Sequence, residues 1–299
     1  MQTLSHLAAL RLTGDDSRSF LQGQLSQDLL SLTPERMQLA SCNSAQGRVQ
    51  AVVWLIERND GLWLLMSASL LDTTLTRLRK YLLRAKCRIE DTRANWQLCA
   101  AGPEDLQDLH WPSLTPGAHQ QHQHSSVIRW PDSVTERYLV LQPSDTSNIS
   151  AAPSPTALEM NVADQAWLLA DIRAGLPQVF TETHESFVAQ MLNLDLLDGI
   201  SFGKGCYTGQ EIIARAHYRG TVKRRMYRMA ARCEPPTPGT RILTQAGHAG
   251  DVVMSVTTEQ GCELLAVINL GQLRDALRLD GMAECGLTLQ ELPYTIDAT

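Results

Sequence analysis

The sequence predicts an α+β protein with an all-β domain at its C-terminal end, and three observations lead to this prediction. Apolar runs typical of strands alternate with segments of helical spacing over the first 225 residues. Asn59-Asp60-Gly61 marks an antiparallel hairpin between two of these runs. After Arg225, short apolar runs alternate with turns that contain proline and glycine. We therefore expect a mixed body over residues 1–225 and a small β-barrel or sandwich domain over residues 226–299.

The strands and helices follow from apolar periodicity. Short apolar runs predict body strands at residues 8–12, 49–56, 62–66, 87–90, 96–100 and 138–141, and C-terminal strands at residues 226–231, 251–256, 263–270 and 287–292. Helical spacing predicts helices at residues 17–25, 68–83 and 162–174. The last of these ends at Gly175 with Pro177 two residues beyond, which is the usual order at a helix C-terminus.

Two polar stretches are predicted as solvated loops. Residues 117–126 hold three histidines among glutamines and serines, and residues 144–155 are rich in Ser, Thr, Pro and Asn. A metal site is the alternative for the histidines, because histidine is a common metal ligand. A polar tract of low complexity carries no defined geometry, which favours the loop.

The composition is that of an ordinary globular protein. Of 299 residues, 43% are hydrophobic, and 26 Lys and Arg stand against 32 Asp and Glu for a net charge of −6. These values exclude extended disorder and argue against a protein that coats nucleic acid over its whole surface. The longest uninterrupted apolar run covers residues 51–56, whereas a membrane-spanning helix needs about 20 residues, so we expect no membrane span.

The seven cysteines favour a reducing compartment. Their number is odd and no Cys-x-x-Cys pair occurs, which argues against a disulfide framework and the common zinc motifs. Residues 1–14 have neither a basic start nor a long apolar core, so we expect no signal peptide. Both observations favour the cytoplasm.

Two common enzyme patterns fail near residue 200. The glycine at position 209 comes one residue too late for a dinucleotide loop that begins at Gly203, and no Ser or Thr follows Lys204 as a P-loop requires. Residues 199–203 match the Gly-x-Ser-x-Gly pattern of hydrolases, but the following Asp and His residues have an unsuitable order and spacing. We therefore expect neither a nucleotide-binding fold nor a serine hydrolase.

The most informative segment is residues 203–215. Its first seven positions contain three glycines, which allow close backbone approach. A helix is expected to begin near Gly209, so Cys206 would lie just ahead of a helix N-terminus with Lys204 nearby, and both features favour the thiolate. Cys206 is therefore a candidate reactive residue. The alternative is a small buried side chain, the commonest state of a free cysteine.

A basic run follows this segment. Between Arg215 and Arg228 lie six Arg or Lys residues, one His and no acid. Such a patch suits the phosphates of RNA or the carboxylates of an anionic ligand. A solvated strand surface would have the same composition, so both interpretations stay open.

A resemblance to a known family rests on residues 204–211, which read Lys-Gly-Cys-Tyr-Thr-Gly-Gln-Glu. With Ala214-Arg215 and Tyr218-Arg219-Gly220, this segment resembles the signature of the YgfZ family, folate-binding proteins related to the T-protein of glycine cleavage. The resemblance covers nearly the whole chain. Its other matches are Gly14-Asp15 with residues 20–24, Gly47-Arg48-Val49, residues 167–177, Asn193-Leu194-Asp195 and Leu292-Pro293-Tyr294.

The resemblance implies a T-protein-like fold of three parts whose central channel accepts a tetrahydrofolate. It also implies a link to iron–sulfur proteins or their assembly factors and, through them, to tRNA modification. No metal ligands follow from it. The implied reactive residues are Cys206 and Lys204, and the implied folate-binding residues are Trp167, Arg173, Tyr207, Gly209, Gln210, Glu211 and Arg215.

Two departures from T-proteins bear on the activity. Where T-proteins carry an acidic pair after the glycine of the first long strand, this chain has Gln50 and Ala51, which cannot transfer protons as a carboxylate does. Where T-proteins carry a pterin-binding acid, this chain has Arg173, which cannot accept the N–H donors of a pterin but could pair with the glutamate tail of a folate.

These departures favour a folate-binding accessory protein for iron–sulfur enzymes over a glycine-cleavage enzyme. Two alternatives stay open. One is a folate-dependent one-carbon transferase with a different reaction. The other is a tRNA-binding module that uses the basic run between Arg215 and Arg228.

Overall fold

The computed structural model describes residues 1–132, 134–144, 160–220, 222–282 and 285–296. Within these residues the strands form three sheets with antiparallel pairing throughout, and helices pack between and around them. The predicted α+β class is confirmed. The loop expected at residues 144–155 lies, apart from its first residue, outside the described residues.

The first sheet packs against one side of the main core. In spatial order its strands are β3 (Gln38–Asn43), β4 (Val49–Arg58), β5 (Gly61–Ser67), β2 (Leu7–Thr13) and β6 (Arg88–Asp91). The predicted hairpin joins β4 to β5, and Gly61 adopts a φ of 130° that favours glycine. Helix α1 (Ser17–Gln22) follows β2, and α2 (Leu71–Leu82) packs against β2 and β6.

The second sheet contains a correction to the sequence prediction. Its order is β1 (Gln2–Thr3), β7 (Trp96–Ala101), β10 (Tyr138–Pro143), β9 (Ser125–Arg129) and β8 (His119–His122), with α3 (Pro103–Asp108) after β7. The solvated loop expected at residues 117–126 is therefore wrong. His119 is buried, with Nδ1 2.6 Å from the Pro34 carbonyl, and burial lowers its pKa to about 4.

The third sheet is the C-terminal all-β part. Its order is β15 (Arg278–Leu279), β12 (Arg241–Thr244), β13 (Gly247–Thr258), β14 (Gly261–Asn269), β11 (Arg224–Ala231) and β16 (Thr288–Gln290). It curls into a half-barrel of antiparallel strands. Helix α5 (Gln210–Tyr218) precedes it and begins at the predicted position.

Helix α4 (Val162–Ala174) has the predicted bounds. It packs against β13 and β14 of the third sheet, and its buried side chains join one core with the first sheet. This arrangement brings the buried face of α4 to the junction of the three sheets. No helix among the described residues is long and apolar enough to cross a membrane.

Candidate functional site

Helix α4 carries polar side chains into the core. Asn161 accepts a hydrogen bond from the Asp164 N–H at 2.9 Å, and the Asp164 carboxylate accepts from the Asn161 N–H at 3.0 Å, which caps the first turn. The helix ends at Gly175, whose φ of 67° is the usual left-handed cap. Asp164, Trp167 and Asp171 are all buried. Carboxylates in such a place need polar partners.

Trp167 has one polar atom without a partner. The side chain is only 3% exposed. The Arg137 guanidinium lies 4.4 Å from its ring centroid, and the Trp130 ring meets it edge to face at 5.2 Å. Its Nε1–H has no hydrogen-bond partner among the described residues. Because buried donors are nearly always paired, this group can donate to a ligand that enters the core here.

A buried charge network holds Trp167 in place. Arg137 donates to Asp171 at 2.6 Å, to Asp132 at 3.0 Å and to the Trp167 carbonyl at 3.0 Å. Asp171 also accepts from the Trp130 Nε1–H at 2.9 Å. Burial raises the pKa of Asp171 in spite of the neighbouring guanidinium. Sequence reasoning missed the network, and its one local signal was a carboxylate on the same helix face as Trp167.

His6 and Asp164 form a second buried polar pair. The His6 Nδ1 lies 2.6 Å from Asp164 Oδ1, and the carboxylate also accepts from the N–H and hydroxyl groups of Ser5. Burial opposes ionisation of Asp164, but the hydrogen bonds from His6 and Ser5 lower its pKa to about 2. In a neutral imidazole, a carboxylate beside Nδ1 favours the tautomer with Nδ1–H, and Nε2 is then an acceptor. This Nε2 has no partner among the described residues.

A cavity of about 430 Å³ opens beside His6, between the first sheet and the third. We call it the His6 cavity. Leu168, Phe180 and Met254 form apolar walls, and Ser67 and other hydroxyl groups lie among them. An apolar enclosure with a few polar groups is typical of sites for small molecules.

Arg173 lies on another face of α4. Its guanidinium donates to Glu263 at 2.6 Å, and Glu263 also accepts from Arg228 at 2.8 Å. Burial opposes ionisation of Glu263, but the two arginines lower its pKa. Arg173 and Glu263 border a cavity of about 950 Å³. Six residues of helix place Arg173 about 120° around the axis from Trp167, so the two predicted folate-binding residues do not share one wall.

Cys206 is exposed and Lys204 is buried. We call residues 203–206 the cysteine loop. All three ammonium donors of Lys204 are engaged, so this side chain anchors the loop and has no donor left for the Cys206 thiol. Burial lowers the pKa of Lys204 to about 8. The acceptors are the carbonyls of Gln22 at 2.8 Å, Leu25 at 2.8 Å and Gln27 at 2.6 Å.

The glycines of the motif have different surroundings. Gly209 precedes α5 with a φ of 82°, and a Cβ there would lie 2.5 Å from the Ser44 carbonyl oxygen and 3.0 Å from the Gly47 Cα. At Gly203 and Gly205 a Cβ would meet no atom within 4 Å. Gly209 therefore allows α5 to pack on the turn at Gly47, whereas the backbone of the cysteine loop is open.

The other predicted binding residues surround the start of α5. Tyr207 is buried, with the Lys204 ammonium 5.0 Å from its ring centroid, and burial raises its pKa to about 12. Gln210 is half-buried, and Glu211 and Arg215 are exposed. No hydrogen bond, ion pair or ring contact among the described residues joins this group to Trp167. The structure thus separates the predicted residues into three places: Trp167 in the core, Arg173 beside the cavity of about 950 Å³, and the others in the cysteine loop and around the start of α5.

Ion pairs also divide the basic run. Three of its cations have acidic partners within the chain: Arg224 with Asp251, Arg225 with Asp195 and Arg228 with Glu263. The other three are exposed and have no ion-pair partner among the described residues; they are Arg215, Arg219 and Lys223. Therefore only three of the six cations in the predicted basic patch are available to an anionic partner.

One carboxylate near the first long strand was missed from the sequence. Gln50 on β4 donates from Nε2 to Glu185 Oε1 at 2.6 Å. Both side chains border a cavity of about 680 Å³ together with Arg77 and Lys80. The separation of 135 residues between Gln50 and Glu185 explains why no local pattern pointed to the pair.

Comparisons with known proteins agree with this fold. No protein-family model matches the chain. The tRNA-modifying protein YgfZ of Yersinia enterocolitica is 32% identical over 98% of this chain and 92% of its own length. Its counterpart in Edwardsiella ictaluri is 32% identical over 96% of this chain and 90% of its own.

A solved structure shows the same architecture. The glycine cleavage system aminomethyltransferase T from Bartonella henselae superimposes on 97% of this chain and 84% of its own, with a TM-score of 0.75 at 14% identity. This similarity confirms the expected T-protein-like fold with its C-terminal β-domain. Together with relatives of about the same length and 32% identity, it shows that the chain belongs to the YgfZ family.

Proposed function

We propose that this protein binds a tetrahydrofolate beside Trp167 and supports iron–sulfur enzymes on which tRNA modification depends. The proposal is carried by two buried polar atoms without partners among the described residues, Trp167 Nε1 and His6 Nε2. His6 lines the His6 cavity, and so does Leu168, the chain neighbour of Trp167. A pterin offers both N–H donors and ring acceptors, so the residues present fit such a group. The T-protein fold and the tRNA-modifying relatives support the proposal.

The residues around the His6 cavity would hold and orient the ligand. The His6 cavity would take the planar ring between Leu168 and Phe180, whose apolar surfaces exclude water. Asp164 would keep the Nδ1–H tautomer of His6, so that Nε2 accepts from the ligand. A bound tetrahydrofolate supplies a carrier for a one-carbon unit.

Cys206 is the proposed reactive residue at the surface. Its thiol is exposed, and the anchor at Lys204 positions the loop that carries it. A single thiolate cannot hold an iron–sulfur cluster, which takes about four ligands. We therefore propose that Cys206 acts together with ligands from an iron–sulfur partner protein in the cytoplasm.

A fluorescence titration with tetrahydrofolate tests the proposed folate site. The wild type should show saturable quenching, and Trp167→Phe should bind about tenfold more weakly, because the ring stays while one hydrogen bond worth about 1.4 kcal/mol is lost. The chain has six tryptophans, so Trp111→Phe serves as the control and should bind normally. Absence of quenching together with absence of a ligand-induced rise in Tm would exclude folate binding.

A complementation experiment tests the cysteine loop. In a strain that lacks its own YgfZ-family protein, the wild type should restore the iron–sulfur-dependent modification of tRNA, and Cys206→Ser should not. Cys87→Ser changes a half-buried cysteine outside the motif and should restore modification fully. Full restoration by Cys206→Ser would remove the thiol from the proposed function.

The Gln50–Glu185 pair favours one alternative, a folate-dependent one-carbon transferase. The Glu185 carboxylate lies beside Gln50, which stands where the acidic pair of T-proteins is expected, and both border the cavity of about 680 Å³. An aminomethyl-transfer assay with tetrahydrofolate distinguishes the two proposals. Turnover that is lost in Glu185→Gln would favour the transferase, and absence of turnover would favour the accessory role.

A further inference from the structure

Three cysteines meet in the third sheet, away from the proposed folate site. Cys262 lies on β14, Cys233 lies two residues beyond the end of β11, and Cys285 precedes β16. The antiparallel pairing of β11 with β16 matches Ala230 with Thr288, and the same register continued three residues further sets Cys233 opposite Cys285. Both cysteines pack against the apolar cluster that contains Cys262. The pairing of Ala231 with Cys262 across the sheet brings Cys233 close to Cys262. A hydrogen bond at 3.3 Å from the Leu279 N–H to the Cys285 carbonyl holds Cys285 beside the same sheet.

The three thiols differ in freedom and access. Cys262 is buried and pairs with Ala231 on one side and Thr257 on the other, so the two ladders fix its backbone. Cys233 and Cys285 are half-buried and lie outside the strands. A disulfide requires Cα atoms about 4.4–6.8 Å apart, and residues outside a ladder reach this geometry with a smaller backbone adjustment. Cys233 and Cys285 are therefore the better pair.

The surroundings also indicate the kind of chemistry. Burial and the neighbouring Cys285 thiol raise the pKa of Cys233 to about 12, and burial raises the pKa of Cys262. These two thiols stay protonated at neutral pH and do not react first with an oxidant. Across the described ranges, no group of three or more His, Cys, Asp or Glu side chains is arranged to hold a metal ion.

A path for a small oxidant is present. The cavity of about 950 Å³ beside α4 is lined by Gly286, the neighbour of Cys285, and by Arg232, the neighbour of Cys233. Cys262 itself lies in the wall of this cavity. A molecule the size of a peroxide can therefore reach the cluster from solvent.

We propose that Cys285 and Cys233 form a reversible disulfide when the protein meets a peroxide. The Cys285 thiolate attacks a peroxide oxygen, the O–O bond breaks, one water leaves with the proton of the thiol, and a sulfenic acid forms. Cys233 then attacks this sulfur, the S–S bond forms and the S–O bond breaks, and a second water leaves with the Cys233 proton. Two thiols are oxidised by two electrons in total, and the peroxide is reduced to two waters.

Thiol counting after treatment with hydrogen peroxide tests the proposal. The experiment uses the Cys206→Ser protein, because the exposed Cys206 would react on its own; seven cysteines less this one leave six thiols. We expect the count to fall by two, the mass to fall by two hydrogens, and dithiothreitol to restore both. Adding Cys285→Ser to the Cys206→Ser protein should abolish this loss of two thiols, and adding Cys262→Ala instead should leave the loss unchanged.

Circular dichroism and thermal unfolding check that each variant folds, and peptide mapping without reductant identifies the bond in the Cys206→Ser protein itself. A Cys233–Cys285 peptide would support the proposal. The proposal is wrong if the Cys206→Ser protein keeps all its thiols in the presence of peroxide, or if the protein with Cys285→Ser added still loses two thiols. A bond mapped to Cys262 would also overturn it. None of these outcomes depends on folate binding.

Discussion

Replacing Gly209 by Ala tests how the cysteine loop is held. Gly209 is the residue before α5, and it lies against the turn formed by Ser44 and Gly47. The same substitution at Gly205, four residues earlier in the same motif, provides a matched control, because a Cβ there meets open space and the backbone is not in the left-handed region.

The expected loss of stability has two contributions. A φ of 82° is unfavourable for alanine by about 1–2 kcal/mol. The new Cβ would also lie 2.5 Å from the Ser44 carbonyl oxygen, a backbone atom that cannot rotate away, and such overpacking costs about 1–3 kcal/mol. Gly209→Ala should therefore destabilise the fold by about 2–5 kcal/mol, and Gly205→Ala should change stability by less than about 0.5 kcal/mol or raise it slightly.

Urea unfolding followed by circular dichroism measures the difference. The midpoint for Gly209→Ala should move to clearly lower urea, while the midpoint for Gly205→Ala stays near that of the wild type. In complementation, Gly209→Ala should also lose activity, because α5, which follows the cysteine loop, no longer packs on the turn at Gly47. Equal midpoints for the two variants would refute the close approach at Gly209 and the reasoning built on it.

Three further predictions concern polar contacts. Asp164→Asn should destabilise the protein by about 2 kcal/mol at neutral pH, since a folded pKa of about 2 against a normal 3.8 corresponds to this amount. Because the folded pKa is lowered, the wild type should be more stable than the variant above about pH 4, and this advantage should vanish as the pH falls through 2. If the urea midpoints of the two proteins differ by the same amount at neutral and at strongly acidic pH, the prediction is wrong. Lys204→Met should leave the buried carbonyls of Leu25 and Gln27 without this donor, and each unsatisfied carbonyl should lower the free energy of unfolding by about 1–3 kcal/mol. An unchanged urea midpoint would show that the anchor is unimportant. If α5 contacts tRNA, Arg215→Ala with Arg219→Ala should reduce the slope of log affinity against log salt by about 2 in filter binding, and an unchanged slope would exclude that surface.

Features that act within a few residues were predictable from the sequence. Helix α4 has the expected bounds, because the cap at Asn161 and the left-handed residue at Gly175 depend on local backbone preferences. The hairpin at Gly61 and the start of α5 at Gly209 follow for the same reason. The signature at residues 204–211 predicted the family, and the comparisons confirmed it. The domain boundary at residue 225 and the roles of the site residues stay predictions.

The histidine tract shows where local reasoning failed. Residues 119–122 have no apolar pattern, yet they form a strand, because β9 offers a partner and the Pro34 segment buries His119 from another part of the chain. A polar composition predicts solvent exposure only when no such partner is available. That information is not contained in the tract itself.

The sequence by itself determined the family, the fold class and most of the elements near the site. Only the tertiary structure decided what the charged and polar side chains do. It pairs Arg137 with Asp171 across 34 residues, Arg173 with Glu263 across 90, and Lys204 with carbonyls at least 177 residues away. Local spacing records backbone preferences between near neighbours, whereas the partner of a buried charge is the group that sheet and helix packing brings within hydrogen-bond distance.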